Sequence, residues 1–212
     1  NLDALPSSVN GDVPSFLAAR GCRCRRSVPF CARAAQAAGA DAIIAMAPAR
    51  INQAVAIDMY RRMADCFNGP IMVQNADGYA PLTGDRIAEL FDDVPSIEYV
   101  KEERQPGPRH IAETSTAAGR IKTIFGGAGG KNLPDEMNRG ADGCMPACEF
   151  GDVLTRVTEM WWSGQEAEAR ALHRRILPLI NPENHALVRY ILRRRGILTT
   201  TAERPPAVEL DA

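Results

Sequence analysis

The chain has 212 residues, 45% apolar and 24% charged, with a formal net charge of -1 at pH 7. That length holds one sizeable core, and the charge offers no pull toward nucleic acid or an anionic membrane. No apolar run reaches the roughly 18 residues of a membrane span, and the opening Asn1-Leu2-Asp3-Ala4 has no signal-peptide pattern. A cytoplasmic protein is expected, and a start without Met suggests an incomplete N-terminus. The six cysteines, Cys22, Cys24, Cys31, Cys66, Cys144 and Cys148, lack the paired spacing of a zinc site. No metal is expected, and the thiols are expected to be reduced.

Residues 1–31 follow no clear rhythm, and the run Gly21-Cys22-Arg23-Cys24-Arg25-Arg26 interrupts the place where a strand and helix would stand. Beyond them, helix and strand alternate. Residues 32–38 end a helix at Gly39. Residues 41–47 form a short apolar strand closed by Pro48. Residues 53–67 carry Val55, Met59, Met63 and Phe67 at helical spacing. Residues 70–73 are the next strand. A helix capped by Thr83 or Asp85 runs to Phe91. Strand 97–101, helix 107–118, strand 121–125, helix 133–139 and strand 142–145 follow. Five strands with helical crossovers imply a parallel sheet, and their apolar character implies cover on both faces. A barrel of eight units and an open doubly wound sheet both fit this pattern. After Phe150 the pattern becomes helical: residues 150–163, 165–180 and 183–195, broken at Gly164 and at Asn181-Pro182. Trp161-Trp162 suits docking of this segment, and Arg193-Arg194-Arg195 suits a solvated helix end.

Lys101 stands out chemically. It is one of only three lysines, with Lys122 and Lys131, among 25 basic residues. It ends the run Ile97-Glu98-Tyr99-Val100-Lys101, at the strand edge where parallel α/β proteins bind ligands. A buried charge is rare unless paired or used, and an amine there suits imine chemistry on a carbonyl. The loop Gly126-Gly127-Ala128-Gly129-Gly130 lies at the same edge. It is not a phosphate loop, because Phe125 stands where the motif needs Gly and Asn132 where it needs Ser or Thr. Its bare backbone would let a substrate come close. Asn75, Asp77 and Tyr79 are polar candidates nearby. His110, His173 and His185 show no catalytic partner pattern.

Together, AAGADAIIAMAP (37–48), GPIMVQNA (69–76), IEYVKEE (97–103), FGGAGGKNLPDEMNRGADGCMP (125–146) and GILTTTAERPP (196–206) resemble the dihydrodipicolinate synthase / N-acetylneuraminate lyase family of Schiff-base lyases. Within it, IMVQNA, the glycine loop and residues 178–184 look most like sugar-acid dehydratases acting on 2-keto-3-deoxy-L-arabonate. The resemblance implies an α/β fold that is a partial TIM (β/α)8 barrel. Strands 4 to 8 are clear, strands 1 and 2 are missing, and a C-terminal helical extension follows. Residues 1–149 would be the partial barrel, with 1–31 atypical, and 150–212 the last barrel helix and the C-terminal helices of the same domain. Residues 9–14 look like the approach to the family's third strand, whereas 15–30 do not look like that strand. A truncated or altered N-terminus is therefore expected. The chain alone is expected to be poorly soluble or inactive, since open edges invite association.

The resemblance makes Lys101 the imine-forming residue and Gln74, Asn75, Gly126, Gly127 and Ala128 substrate-binding. It implies an α-keto acid substrate, no cofactor, and a homo-oligomer, a tetramer in the family. Gln74 stands where the synthases and aldolases carry a relay Tyr, which favours a dehydratase of a 2-keto-3-deoxy sugar acid. A pyruvate-dependent aldolase or synthase, and an inactive barrel remnant, are the alternatives. Glu103 lies two residues beyond Lys101, where its charge would disfavour a neutral amine, and is expected to turn out of the site.

Overall fold

The computed structural model describes residues 16–18, 28–117, 121–180, 182 and 184–205. In chain order these form β1 (Phe16–Ala18), α1 (Val28–Ala37), β2 (Ala42–Ala45), α2 (Gln53–Ala64), β3 (Ile71–Asn75), α3 (Gly84–Asp93), β4 (Ile97–Glu102), α4 (Gly107–Ala117), β5 (Thr123–Gly126), α5 (Leu133–Met137), β6 (Gly143–Cys144), α6 (Gly151–Trp162), α7 (Glu166–Ile180) and α8 (His185–Arg194). Short 3-10 turns at Ala128–Gly130 and Cys148–Phe150 follow β5 and β6.

All six strands run parallel in the order β1-β2-β3-β4-β5-β6. Every neighbour in the sheet is also the next strand in sequence, so α1 to α5 are crossovers, and α6 to α8 follow the last strand. The sequence reading has five strands; the sixth is β1, in the stretch that did not look like a strand. Its partner is β2, with Phe16 opposite Ala42. β3 also runs to Asn75, two residues past the expected end. Gln74 and Asn75 therefore belong to the strand and alternate between its faces.

The apolar strands are apolar because they are covered. All of β2 and β3 is buried. Ile43, Ile71, Val73, Ile97 and Val100 pack with Ile57, Tyr60 and Met63 of α2 and Ile87 and Leu90 of α3. Each such side chain contributes about 1.5–3 kcal/mol on burial. The Tyr60 hydroxyl donates to the Ala45 carbonyl at 2.9 Å, so its polar end is satisfied inside the core. Asn52 caps α2 by accepting from the Val55 amide, and Asn184 caps α8 by accepting from Ala186 and Leu187. A second core joins Leu133 and Met137 of α5 to Leu154, Val157 and Trp161 of α6 and Ala169, Ile176 and Ile180 of α7.

At the C-terminal end of β4, Glu102 is 1% exposed. Its carboxylate accepts from the Arg104 amide, Nε and Nη2 at 3.1, 2.9 and 2.9 Å, from Asn75 Nδ2 at 3.0 Å and from Thr114 Oγ1 at 3.1 Å. Arg104 is itself buried. One carboxylate thus ties β3, β4 and α4 at the sheet edge. Removing the guanidinium leaves a buried anion short of its counter-charge. Arg104→Ala is expected to lower unfolding free energy by about 3–5 kcal/mol in urea titrations; a loss under about 1 kcal/mol would mean that the pair behaves like a surface ion pair.

Candidate active site

Register decides which side chains meet. Gln74 pairs with Lys101, and Lys101 with Phe125; one step on, Asn75 pairs with Glu102. Alternation then sends Gln74, Lys101 and Glu103 to one face, and Asn75 and Glu102 to the other.

On the first face the Lys101 ammonium lies 3.0 Å from Glu103 Oε1, and both side chains are mostly buried, 12% and 18% exposed. Gln74 Nε2 donates to Glu103 Oε2 at 2.6 Å, and the Ala128 amide donates to Glu103 Oε1 at 3.3 Å. The Glu103 amide is fixed by the Asn75 carbonyl at 2.7 Å. Glu103 therefore turns into the site, contrary to the sequence expectation. Three neighbours supply what burial takes away. Burial alone would raise the Glu103 carboxyl, but the Gln74 hydrogen bond and the Lys101 charge outweigh it and hold the group below the usual range.

The glycine loop makes room for this pair. A methyl group at Gly127 would fall 2.2 Å from Glu103 Oε1, and one at Gly126 would fall 1.9 Å from Glu136 Oε2. Two carboxyls thus flank one dipeptide, Glu103 against Gly127 and Glu136 against Gly126. Beyond it, Ala128, Gly129 and Gly130 have φ of 48°, 67° and 81°. Ala128 is not a glycine, so its left-handed backbone stores strain. Gly126, Gly127 and Ala128 stand beside the lysine edge as backbone, and the Ala128 amide is already engaged by Glu103.

Asn75 differs from its expected role. Its side chain donates to the Leu82 carbonyl and Glu102 and accepts from the Leu82 amide, at 2.9, 3.0 and 2.8 Å. Both amide protons are committed, on the face away from Lys101, so Asn75 serves the fold. Asp77 accepts from the Gln105 amide, and Tyr79 is exposed. His110 pairs with Glu113. Among the described residues no group of three or more His, Cys, Asp or Glu could hold a metal ion, and no helix is long and apolar enough to cross a membrane. Cys66, Cys144 and Cys148 are free thiols, whereas Cys31 is disulfide-bonded, which departs from the expectation of reduced thiols throughout. Burial, with the Glu136 charge, pushes the Cys144 thiol up to about 12.

The whole chain from residue 4 to residue 212 matches the model of the dihydrodipicolinate synthetase family. The chain belongs to this family. It is 28% identical over 187 residues to L-2-keto-3-deoxyarabonate dehydratase of Azospirillum brasilense, covering 83% of this chain and 60% of that protein. It is 29% identical over 191 residues to 4-hydroxy-tetrahydrodipicolinate synthase of Chlorobium luteolum, covering 85% and 64%. The chain thus spans under two thirds of the length of these relatives. The crystal structure of dihydrodipicolinate synthase from Rhodopseudomonas palustris superposes with a TM-score of 0.81 at 26% identity, over 92% of this chain and 69% of that one. The Thermotoga maritima dihydrodipicolinate synthase gives 0.82 at 19% identity, over 96% and 72%. The fold is a partial (β/α)8 barrel with C-terminal helices.

Glu136, on α5, is a site feature the sequence did not disclose. It is 1% exposed and its Oε2 has no hydrogen-bond partner. Burial, with the nearby charges of Glu102 and Glu103, raises its carboxyl to about 7, against a partial offset from Asn132. The folded state therefore holds this proton more tightly than the unfolded chain. Its contribution to stability is complete below pH 4.5 and is lost as pH rises through about 7. Glu136→Gln is expected to raise stability at pH 8 by up to about 3 kcal/mol and to change little at pH 4. Equal shifts at the two pH values, read from urea midpoints, would show that folding leaves the Glu136 pKa unchanged.

Proposed function

We propose that this chain carries the imine-forming lysine and the proton-transfer carboxylate of a lyase acting on a 2-keto-3-deoxy sugar acid. The observation that carries this reading is the Lys101–Glu103 pair at 3.0 Å, with Gln74 at the register position beside it. An ammonium and a carboxylate in contact, largely out of water, have a use in imine chemistry that a surface ion pair lacks.

The chemistry follows from the pair. Neutral Lys101 adds to the C2 carbonyl of the keto acid, and the carbonyl oxygen leaves as water. The protonated imine keeps the positive charge that Glu103 already faces, so the ion pair survives the change of bonding. Glu103 then accepts a proton from C3 and the C3 electrons flow into the imine; Glu103 returns that proton to the C4 hydroxyl, which leaves as water as the enamine electrons form the C3–C4 double bond. Hydrolysis of the imine returns Lys101. Gln74 orients Glu103 through its 2.6 Å bond, and it offers no hydroxyl for the proton relay that the resemblance assigns to a Tyr in synthases. The similarity to a 2-keto-3-deoxyarabonate dehydratase supports dehydration. The similarity to a 4-hydroxy-tetrahydrodipicolinate synthase supports carbon–carbon chemistry through the same imine as the second reading. Self-association belongs to the proposal, supported by exposed Trp162, Leu179, Tyr190 and Ile197.

Borohydride reduction in the presence of pyruvate or a 2-keto-3-deoxy pentonate should add one adduct, at Lys101, seen by peptide mass mapping. Lys101→Arg should abolish it, because a guanidinium stays protonated. Adducts on Lys122, which is 61% exposed and paired with Glu98, or on Lys131, with Lys101 unmodified, would refute the assignment. Dehydration of the pentonate should exceed condensation of pyruvate with aspartate semialdehyde; the reverse order would favour the synthase reading.

A further inference from the structure

His173 lies on α7, 5% exposed, among the residues of the second core. Its Nε2 is 2.8 Å from the carbonyl oxygen of Gly130, 43 residues earlier in the chain. A carbonyl only accepts, so Nε2 carries the proton and donates it. Burial lowers the proton affinity of this imidazole, which favours the neutral ring.

The receiving end of that bond is a strained backbone turn. Ala128, Gly129 and Gly130 all have positive φ. The turn closes through Gly130 N to Gly127 O at 2.8 Å and Lys131 N to Ala128 O at 3.2 Å. Leu154 bears on it from α6, where a methyl group on Gly130 would fall 3.0 Å from Leu154 Cδ1. At its other end the Ala128 amide donates to Glu103 Oε1 at 3.3 Å, the same oxygen that faces Lys101 at 3.0 Å. A strained turn holds its geometry only when its surroundings over-determine it. Here α7 supplies one polar restraint, at the Gly130 carbonyl.

We propose that His173 is a positioning residue for the imine chemistry: by holding the Gly130 carbonyl it fixes the turn whose Ala128 amide aims the Glu103 carboxylate at the Lys101 site. This role rests on Lys101 as the imine former and Glu103 as the base. It gives the C-terminal helices a direct mechanical link to the proton-transfer step, with His173 touching neither substrate nor Lys101.

Imine formation and proton transfer can be read separately. Borohydride trapping with pyruvate reports the imine. Deuterium wash-in from D2O to the pyruvate methyl group, above the uncatalysed rate, reports Glu103 taking and returning the C3 proton. With the full chain, His173→Leu should slow wash-in at least about tenfold while the trapped fraction stays within about twofold. His173→Gln, whose side-chain amide can reach the same carbonyl, should recover wash-in to within about threefold of wild type. Thermal melts of each variant accompany the rates. Unchanged wash-in in His173→Leu, or equal losses in the Leu and Gln variants, would overturn the positioning role and leave His173 as core packing. Trapping and wash-in falling together, with a lowered melting temperature, would count against it in the same way. Wild-type protein with no Lys101 adduct would overturn the underlying reading itself.

Discussion

The buried Glu102 carboxylate is the constraint on which the site depends. Five hydrogen bonds converge on it, from Arg104, Asn75 and Thr114. They come from β3, from α4 and from the turn after β4, so the ends of the two central strands cannot slide past each other. A buried carboxylate without such partners would be too costly to keep charged. With them, it holds the register in which Gln74 faces Lys101.

The opposite face of the same strand inherits that rigidity. Lys101 and Glu103 are two residues apart, so both project to one side, and the 3.0 Å contact follows from the pleat. Glu103 stays ionised in a part-buried place because Gln74 and the Ala128 amide replace the water it has lost. In the proposed reaction this counter-charge would face the lysine nitrogen first and the protonated imine afterwards. In that reaction the cost would fall on the attacking step, which needs the neutral amine.

The glycine loop joins this strand chemistry to the C-terminal helices. Gly126 and Gly127 are narrow because carboxyls occupy the space on both sides. Behind them Glu136 keeps one oxygen unpartnered, an arrangement that suits a protonated acid better than an anion. In front, Ala128 accepts backbone strain to present its amide to Glu103. α7 holds the far end through His173, and α6 supports it through Leu154. The helical segment is thereby part of the scaffold of the site.

Much of the fold was legible as pattern. Apolar runs at Ile43, Ile71, Ile97 and Ile124, each followed by helical spacing, mark a parallel sheet, because only strands covered on both faces are apolar on both faces. The rarity of lysine and the strand-end position marked Lys101. The short β1 was not legible, since three residues give no period to read and its partner is set by β2. Gln74 and Asn75 looked alike as polar residues after a strand; only the true end of β3 separates them, one toward Glu103 and the other locked to Leu82 and Glu102. Sequence alone determined that a lysine stands near the C-terminal end of a parallel strand, at the same edge as a glycine loop. Tertiary structure decided that Glu103 faces that lysine, that Glu136 lies against Gly126, and that His173 reaches Gly130. Each of those contacts joins separate elements or turns on where a strand ends, and periodicity within one segment carries no information about what the neighbouring segment places across the gap.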